Sequence, residues 1–310
     1  MISYLKHTER GFSQLNSWEK DAWINVQKPT NEEIGYLKGR FKVPDEFFPH
    51  IYDIDERSRI EIEDGWMLII LRIAHKQDDE SLPFVTVPFT IMLSDDCMLT
   101  ICDFETELLQ GFINFASAKK IIINNRFEFV LQLFLSSTIW YLKYLKQINL
   151  YNQVIEKDLE KSIKNKELHK MLKMEKCLVY FITSLRGNSN LLLKLQNTKL
   201  AKEHEFDKDL YEDIEIELKQ AIETANIYSD IQSGMMNAFA SVISNNLNQV
   251  MKQLTSISII LMIPTLVASL FGMNLPNFME NNNYSFLGVI LGSVLLTSSA
   301  FIFFKRRNWF

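Results

Sequence analysis

The chain has 310 residues, a formal net charge of −5 and 23% charged side chains. That length suffices for a folded domain with further elements attached, and mild acidity without a basic block gives nucleic acid nothing to bind. Cys97, Cys102 and Cys177 form no CxxC pair and the five histidines are scattered, so no zinc site or nucleophile–base pair marks an enzyme. The thiols read as reduced and structural, as in a cytosolic setting.

Residues 1–115 read as a mixed α+β domain. Asn31 to Lys38 and Asp53 to Glu56 suggest short helices or turns. Strand-like runs follow at Trp66 to Ala74, Phe84 to Leu93 and Met98 to Phe104, punctuated by Pro83, Pro88 and the turn Ser94-Asp95-Asp96. The opening Met-Ile-Ser-Tyr-Leu-Lys-His lacks a signal-peptide core, which keeps this part on the side of synthesis.

No proline occurs between Phe89 and Ile263. Residues 116–204 are predicted to form a helical hairpin. One helix runs from about Asn125 to Asn165 and a return helix from about Leu168 to Leu185. A break near Arg186-Gly187-Asn188 and a further piece from Asn190 to Leu200 complete it. From about Glu205 the pattern is one helix as far as Phe271, with 205–253 as a stalk. Ile214, Leu218, Ala221, Ala225, Tyr228, Met235, Phe239 and Val242 recur at 3-4 spacing as a buried seam, on which copies of the chain are expected to pack.

Two uncharged apolar segments close the chain, within 254–274 and 285–304, joined by a short loop at 275–284. A membrane-spanning helix needs about 20 mostly apolar residues, and both segments qualify. The basic tail, 305–310, with Lys305, Arg306 and Arg307, holds the C-terminus inside by the positive-inside rule. Two spans then place the N-terminal part inside too. The expected setting is a plasma or inner membrane, multi-pass, with both termini cytoplasmic.

The first span carries a polar stripe. Thr255, Ser258, Met262, Thr265 and Ser269 fall on one helical face, and Met251 and Asn248 extend it upstream. Such a stripe faces either another helix or water. If water, several copies around a cyclic axis must enclose the pore, since one helix cannot. Pro264 should loosen the helix mid-span. Gly288 and Gly292 offer the second span a small face for packing on the first.

Between the spans stands Phe271-Gly272-Met273-Asn274. With the two terminal spans and the basic-aromatic tail from Lys305 to Trp309, this turn makes the chain resemble the CorA family of divalent-cation channels. The resemblance is strongest from about Asp213 onward. It implies a homopentamer with a cytosolic α/β domain, long helices forming a funnel, and an inner ring of first spans lining the pore. Gly272, Met273 and Asn274 would form the outer mouth, where amide and carbonyl oxygens hold a hydrated Mg²⁺. That is sensible chemistry for an ion that sheds water reluctantly. Asn248, Met251 and Leu254 match the family's cytosolic-side constriction, and Met262 and Thr265 match further pore positions. Asp213 matches a stalk aspartate that binds a regulatory Mg²⁺ between subunits, with Asp78 or Asp79 as its acidic partner. The loop after Asn274 departs from the family wording, with Leu275-Pro276 and a displaced Glu280.

The expected activity is therefore Mg²⁺ uptake driven by the membrane potential and gated by intracellular Mg²⁺. A related reading is a Zn²⁺, Co²⁺ or Ni²⁺ transporter of the ZntB type. Zinc would favour His or Cys near the pore, and none follows His204. A third reading is a membrane-anchored coiled-coil scaffold or sensor that conducts nothing.

Overall fold

The structure is a computed structural model that describes residues 1–8, 11–77, 82–161, 165–203, 208–273, 284–307 and 309. Two compact units make up the chain, Met1–Gly234 and Met235–Phe310.

The first unit is built on a seven-stranded sheet. Its strands are β1 (Ile2–Thr8), β2 (Gly11–Leu15), β3 (Trp23–Gln27), β4 (Arg59–Glu63), β5 (Trp66–Lys76), β6 (Phe84–Leu93) and β7 (Met98–Cys102). Their order is β2-β1-β3-β7-β6-β5-β4, and only β3 and β7 run parallel. Both faces of the sheet are covered, so β5 and β6 are apolar almost without alternation.

One face carries α1 (Asn31–Phe41), a 3-10 turn (Asp45–Phe47) and α2 (Pro49–Tyr52). Leu68 and Ile70 of β5 join Leu37, Phe47, Phe48 and Ile51 in that core. The other face carries α4 (Arg126–Lys161) and α5 (Asn165–Gln196), with α3 (Glu107–Lys119) beside β2. Here Tyr141 of α4 meets Phe181 of α5 edge-on, with ring centroids 5.0 Å apart.

Local capping sets the helix starts. Thr30 and Glu33 form a reciprocal capping box at α1. Asn125 Oδ1 accepts from Glu128 N at 2.9 Å and caps α4, while Glu128 Oε2 reaches one residue farther back to accept from Asn124 N at 2.8 Å.

The expected break at Arg186-Gly187-Asn188 does not occur. α5 continues to Gln196, and a short α6 (Lys199–Glu203) follows. The reason is tertiary. Asn188 is buried, and its amide acts as a strand edge. Oδ1 accepts from Arg72 N at 3.0 Å while Nδ2 donates to Arg72 O at 2.7 Å. The β4–β5 ladder has stopped at Arg59–Ile70, so Asn188 takes over its next rung. This arrangement also explains Pro88 inside β6. Pro88 lies opposite Arg72, whose N–H and C=O are turned away toward Asn188, so the missing proline donor costs no ladder bond.

The Arg72 side chain locks the same region. Nη2 donates to Thr86 O and Oγ1 at 2.6 and 2.7 Å, and Nη1 donates to Glu56 O at 3.0 Å and to Ile54 O. Burial lowers its pKa. Burial pushes the Cys97 and Cys102 thiols up to about 12 and Cys177 to about 11, so all three stay protonated. The three cysteines are free and buried.

α7 (Lys208–Phe271) is one helix of 64 residues that belongs to both units. In the first unit its seam packs on its own chain rather than on a copy. Ile214, Leu218, Ala221 and Ala225 are buried, and Gln232 Nε2 donates to Met171 O of α5 at 3.1 Å. The seam opens farther along, and positions 240–252 are exposed. α8 (Ser285–Arg306) completes the second unit.

Candidate functional site

Two helices carry apolar windows long enough to cross a membrane, in Lys208–Phe271 with mean hydropathy 2.1 and in Ser285–Arg306 with 2.2. Almost none of either window is buried. A core helix of a water-soluble protein would bury such a stretch; these expose it, which costs heavily in water and nothing in hydrocarbon.

Within the second unit α7 has two faces. Gln253, Ser256, Ile260, Ile263, Pro264 and Val267 are fully or partly covered, and Ser256 is completely buried. At 100° per residue they form one stripe. Asn248, Met251, Leu254, Thr255, Ser258, Met262, Thr265 and Ser269 are all exposed and fall on the other side. Leu254 and Met262 expose 58% and 67% of their surface. Every residue nominated from sequence for the pore thus lies away from the covered stripe, which rules out packing on the chain's own second span as the purpose of the polar face.

The expected glycine contact is not made. A Cβ built at Gly288 or Gly292 meets nothing within 4 Å. α7 and α8 instead flank a groove of about 770 Å³ lined by Pro264, Val267 and Phe271 on one side and by Val289, Ser293 and Thr297 on the other. Along this length the groove leaves the small residues without a helix to receive them.

The hydroxyls of the polar face have a defined polarity. Ser258 Oγ donates to Leu254 O at 2.9 Å and Thr265 Oγ1 donates to Leu261 O at 3.0 Å. Their protons are spent on the backbone, which leaves oxygen lone pairs outward. A row of lone pairs accepts hydrogen bonds, and the waters around a cation point their hydrogens outward. The face therefore suits a hydrated cation.

At its C-terminal end α7 closes with Gly272, whose N donates to Ala268 O at 2.9 Å. A Cβ there would lie 3.1 Å from the same carbonyl oxygen. Gly272 does not adopt a positive φ; what a side chain would meet there is this close approach. Met273 is about half exposed. Asn274 lies outside the described residues, as do Asp78 and Asp79.

Asp213 is exposed on α7, between buried Tyr211 and buried Ile214. Among the described residues no group of three His, Cys, Asp or Glu side chains comes together within one chain. Any carboxylate site at Asp213 therefore has to draw ligands from elsewhere. Sequence reasoning missed Ser256, whose hydroxyl looks like any other in the span. Its signal is the 3-4 spacing with Ile260, Ile263 and Val267, a second register beside the polar one.

Residues 18–306 match the family model described as CorA-like Mg2+ transporter protein. The chain belongs to that family. It is a family of membrane transporters rather than enzymes. The Cobalt/magnesium transport protein CorA of Methanocaldococcus jannaschii is 24% identical over 291 residues, covering 93% of this chain and 90% of the relative. The complete structure of the CorA magnesium transporter from the same organism superposes with a TM-score of 0.84 at 23% identity, over 100% of this chain and 99% of that one. The cytoplasmic domain of ZntB from Vibrio parahaemolyticus gives 0.59 at 13% identity, covering 79% and 97%. These two structures share the fold: an α/β N-terminal domain and a long helix, which in the complete CorA leads to two C-terminal apolar helices.

Proposed function

We propose that the chain is the subunit of a homo-oligomeric divalent-cation channel, a pentamer, that admits Mg²⁺ down the membrane potential. The observation that carries this reading is the exposure of the seven polar-stripe residues, and of Leu254 beside them, on the side of α7 opposite its covered stripe. Exposed Val242, Ile243, Leu247 and Val250 just upstream support assembly, since an apolar stretch of helix in water needs a partner. A field worth about 2.3 kcal/mol per charge per 100 mV drives entry. Both termini are then cytoplasmic, and Gly272, Met273 and Asn274 form the outer mouth and select the ion.

Regulation is part of the same reading. Asp213, with Asp78 or Asp79 of a neighbouring copy, holds a cytosolic Mg²⁺ that keeps the channel shut. Carboxylates are hard oxygen donors and suit that ion.

The chosen substrate is Mg²⁺, with Co²⁺ next, because relatives carry those names and no His or Cys follows His204. The likeness to the ZntB cytoplasmic domain favours Zn²⁺ as the second reading. Vesicles containing the reconstituted chain and a Mg²⁺-sensitive dye test the first reading. Uptake that grows with an inside-negative potential is expected. Zn²⁺ flux without Mg²⁺ flux would favour the second, and no flux of Mg²⁺, Co²⁺, Ni²⁺ or Zn²⁺ would leave a scaffold.

A further inference from the structure

The sequence of the second unit contains four basic side chains, Lys252, Lys305, Arg306 and Arg307, and one acidic side chain, Glu280, which lies outside the described residues. The groove between the helices is lined by the last turns of α7, from Pro264 to Gly272, and by α8 from Ser285 to Ser298. On the proposed reading of two successive spans joined by a short connection, α7 and α8 run antiparallel. Lys252 lies 12 residues before Pro264 and Arg307 lies 10 after Thr297. At about 1.5 Å per residue these are about 18 and 15 Å in the same direction. The four cations therefore gather at one end of the helix pair, and all four are exposed.

The end of α8 is ordered around them. Arg307 N donates to Phe303 O and Phe304 O, both at 3.2 Å, and Trp309 N donates back to Phe304 O at 3.2 Å. The Trp309 ring packs tilted against Phe304, with centroids 5.2 Å apart and planes 32° apart, and Phe304 is buried. Arg307 lies over the Phe303 ring at 5.8 Å. The tail thus folds against its own span. Successive positions on a helix diverge by about 100°, so Lys305 and Arg306 fan around the helix end instead of pointing one way.

We infer that this end of the second unit is a binding site for the headgroups of anionic phospholipids. Its place selects the partner. It closes two apolar windows that need hydrocarbon, so its cations stand at headgroup depth, where negative phosphates are the available counter-charges. Trp309, apolar in its body and polar at its N–H, belongs at that depth too. Four cations, with no Asp or Glu among the described residues of the second unit, attract an anionic surface, and a zwitterionic one supplies no net counter-charge.

Trp309 gives a direct readout, because the other four tryptophans, Trp18, Trp23, Trp66 and Trp140, all lie in the first unit. The full chain is reconstituted in phosphatidylcholine vesicles in which about one-tenth of the lipid is chain-brominated phosphatidylglycerol or, in a parallel sample, chain-brominated phosphatidylcholine. A Trp309→Phe variant supplies the background. Brominated phosphatidylglycerol should quench Trp309 about threefold more than brominated phosphatidylcholine. The preference should fade in salt of about 1 M, where the Debye length is about 3 Å.

The variant with Lys252, Lys305, Arg306 and Arg307 all changed to Gln should be quenched equally by the two lipids. Full quenching in pure brominated phosphatidylcholine shows that its spans still insert. The charge-keeping Arg306→Lys, Arg307→Lys variant should retain the preference. Equal quenching of the wild type by both lipids overturns the inference, and so does an unchanged preference in the Gln variant. Loss of the wild-type preference to about 20 mM inorganic phosphate, too dilute to compete by screening alone, also overturns it in favour of a soluble-anion site. None of these outcomes depends on whether the channel conducts.

Discussion

Ser256 and Ser258 stand two residues apart on α7 and face opposite ways. Both hydroxyls donate to the carbonyl four residues back, Ser256 to Lys252 O at 2.8 Å and Ser258 to Leu254 O at 2.9 Å. Ser256 is completely buried and Ser258 is exposed. Identical chemistry thus serves two purposes, a small residue where the helix is covered and an outward oxygen where it is not.

Leucine at each position separates these purposes. Ser256→Leu adds volume where there is no room and should cost about 1–3 kcal/mol of stability. The melting temperature in detergent should fall clearly. Ser258→Leu should leave it nearly unchanged and should reduce cation flux, because a lone pair on the polar face is replaced by an isobutyl group. The reverse pattern would mean that the two faces have been exchanged.

At the C-terminal end of α7, Gly272→Ala brings a methyl to 3.1 Å from the Ala268 carbonyl oxygen. The carbonyl has to tilt, and the chain leaving α7 is redirected. Flux should fall several-fold while the oligomer seen by native mass spectrometry stays intact. Asn274→Ala should abolish flux with the same assembly, since a hydrated ion loses its amide acceptors. Normal Mg²⁺ flux through the Asn274→Ala protein would remove Asn274 from the filter.

The spans and the polar stripe were legible in sequence because bilayer thickness and helical period impose long, regular patterns. Met251, Met262 and Thr265 could be named from spacing or from resemblance, and all three lie on the exposed face. What stayed hidden depends on long-range partners. Nothing in Arg186-Gly187-Asn188 reveals that the Asn188 amide completes a strand 116 residues away, so the segment reads as a helix break. Likewise the seam from Ile214 to Ala225 carries the same periodicity whether its own chain or a copy covers it. Gly288 and Gly292 show that a small-residue face marks permission for close packing and not its occurrence.

Asp213 gives a regulatory test. If it shares a Mg²⁺ with carboxylates of a neighbouring copy, the ion relieves their repulsion and tightens the assembly. Trypsin should then digest the wild type more slowly with about 20 mM Mg²⁺, enough to saturate a weak carboxylate site. Asp213→Lys should be digested at one rate with and without the ion. Equal protection of both proteins would end the regulatory reading and leave the pore reading standing.

The last prediction concerns the rung that Asn188 supplies. Its amide satisfies Arg72 N–H and C=O, and its Oδ1 also accepts from Ser58 Oγ at 2.8 Å. In Asn188→Ala, Arg72 O keeps the Tyr141 hydroxyl at 3.1 Å, but Arg72 N–H and the Ser58 hydroxyl lose their acceptor. A buried polar group stranded this way costs about 1–3 kcal/mol and the part-exposed Ser58 hydroxyl adds about 1 kcal/mol at most, so a loss of about 2–4 kcal/mol is expected. Asn190→Ala, at an exposed position two residues on, should change stability by less than about 0.5 kcal/mol. Pulse proteolysis across a urea series measures both. A small effect of Asn188→Ala would show that water or a neighbouring side chain replaces the rung, and the continuity of α5 through Gly187 would then need another cause.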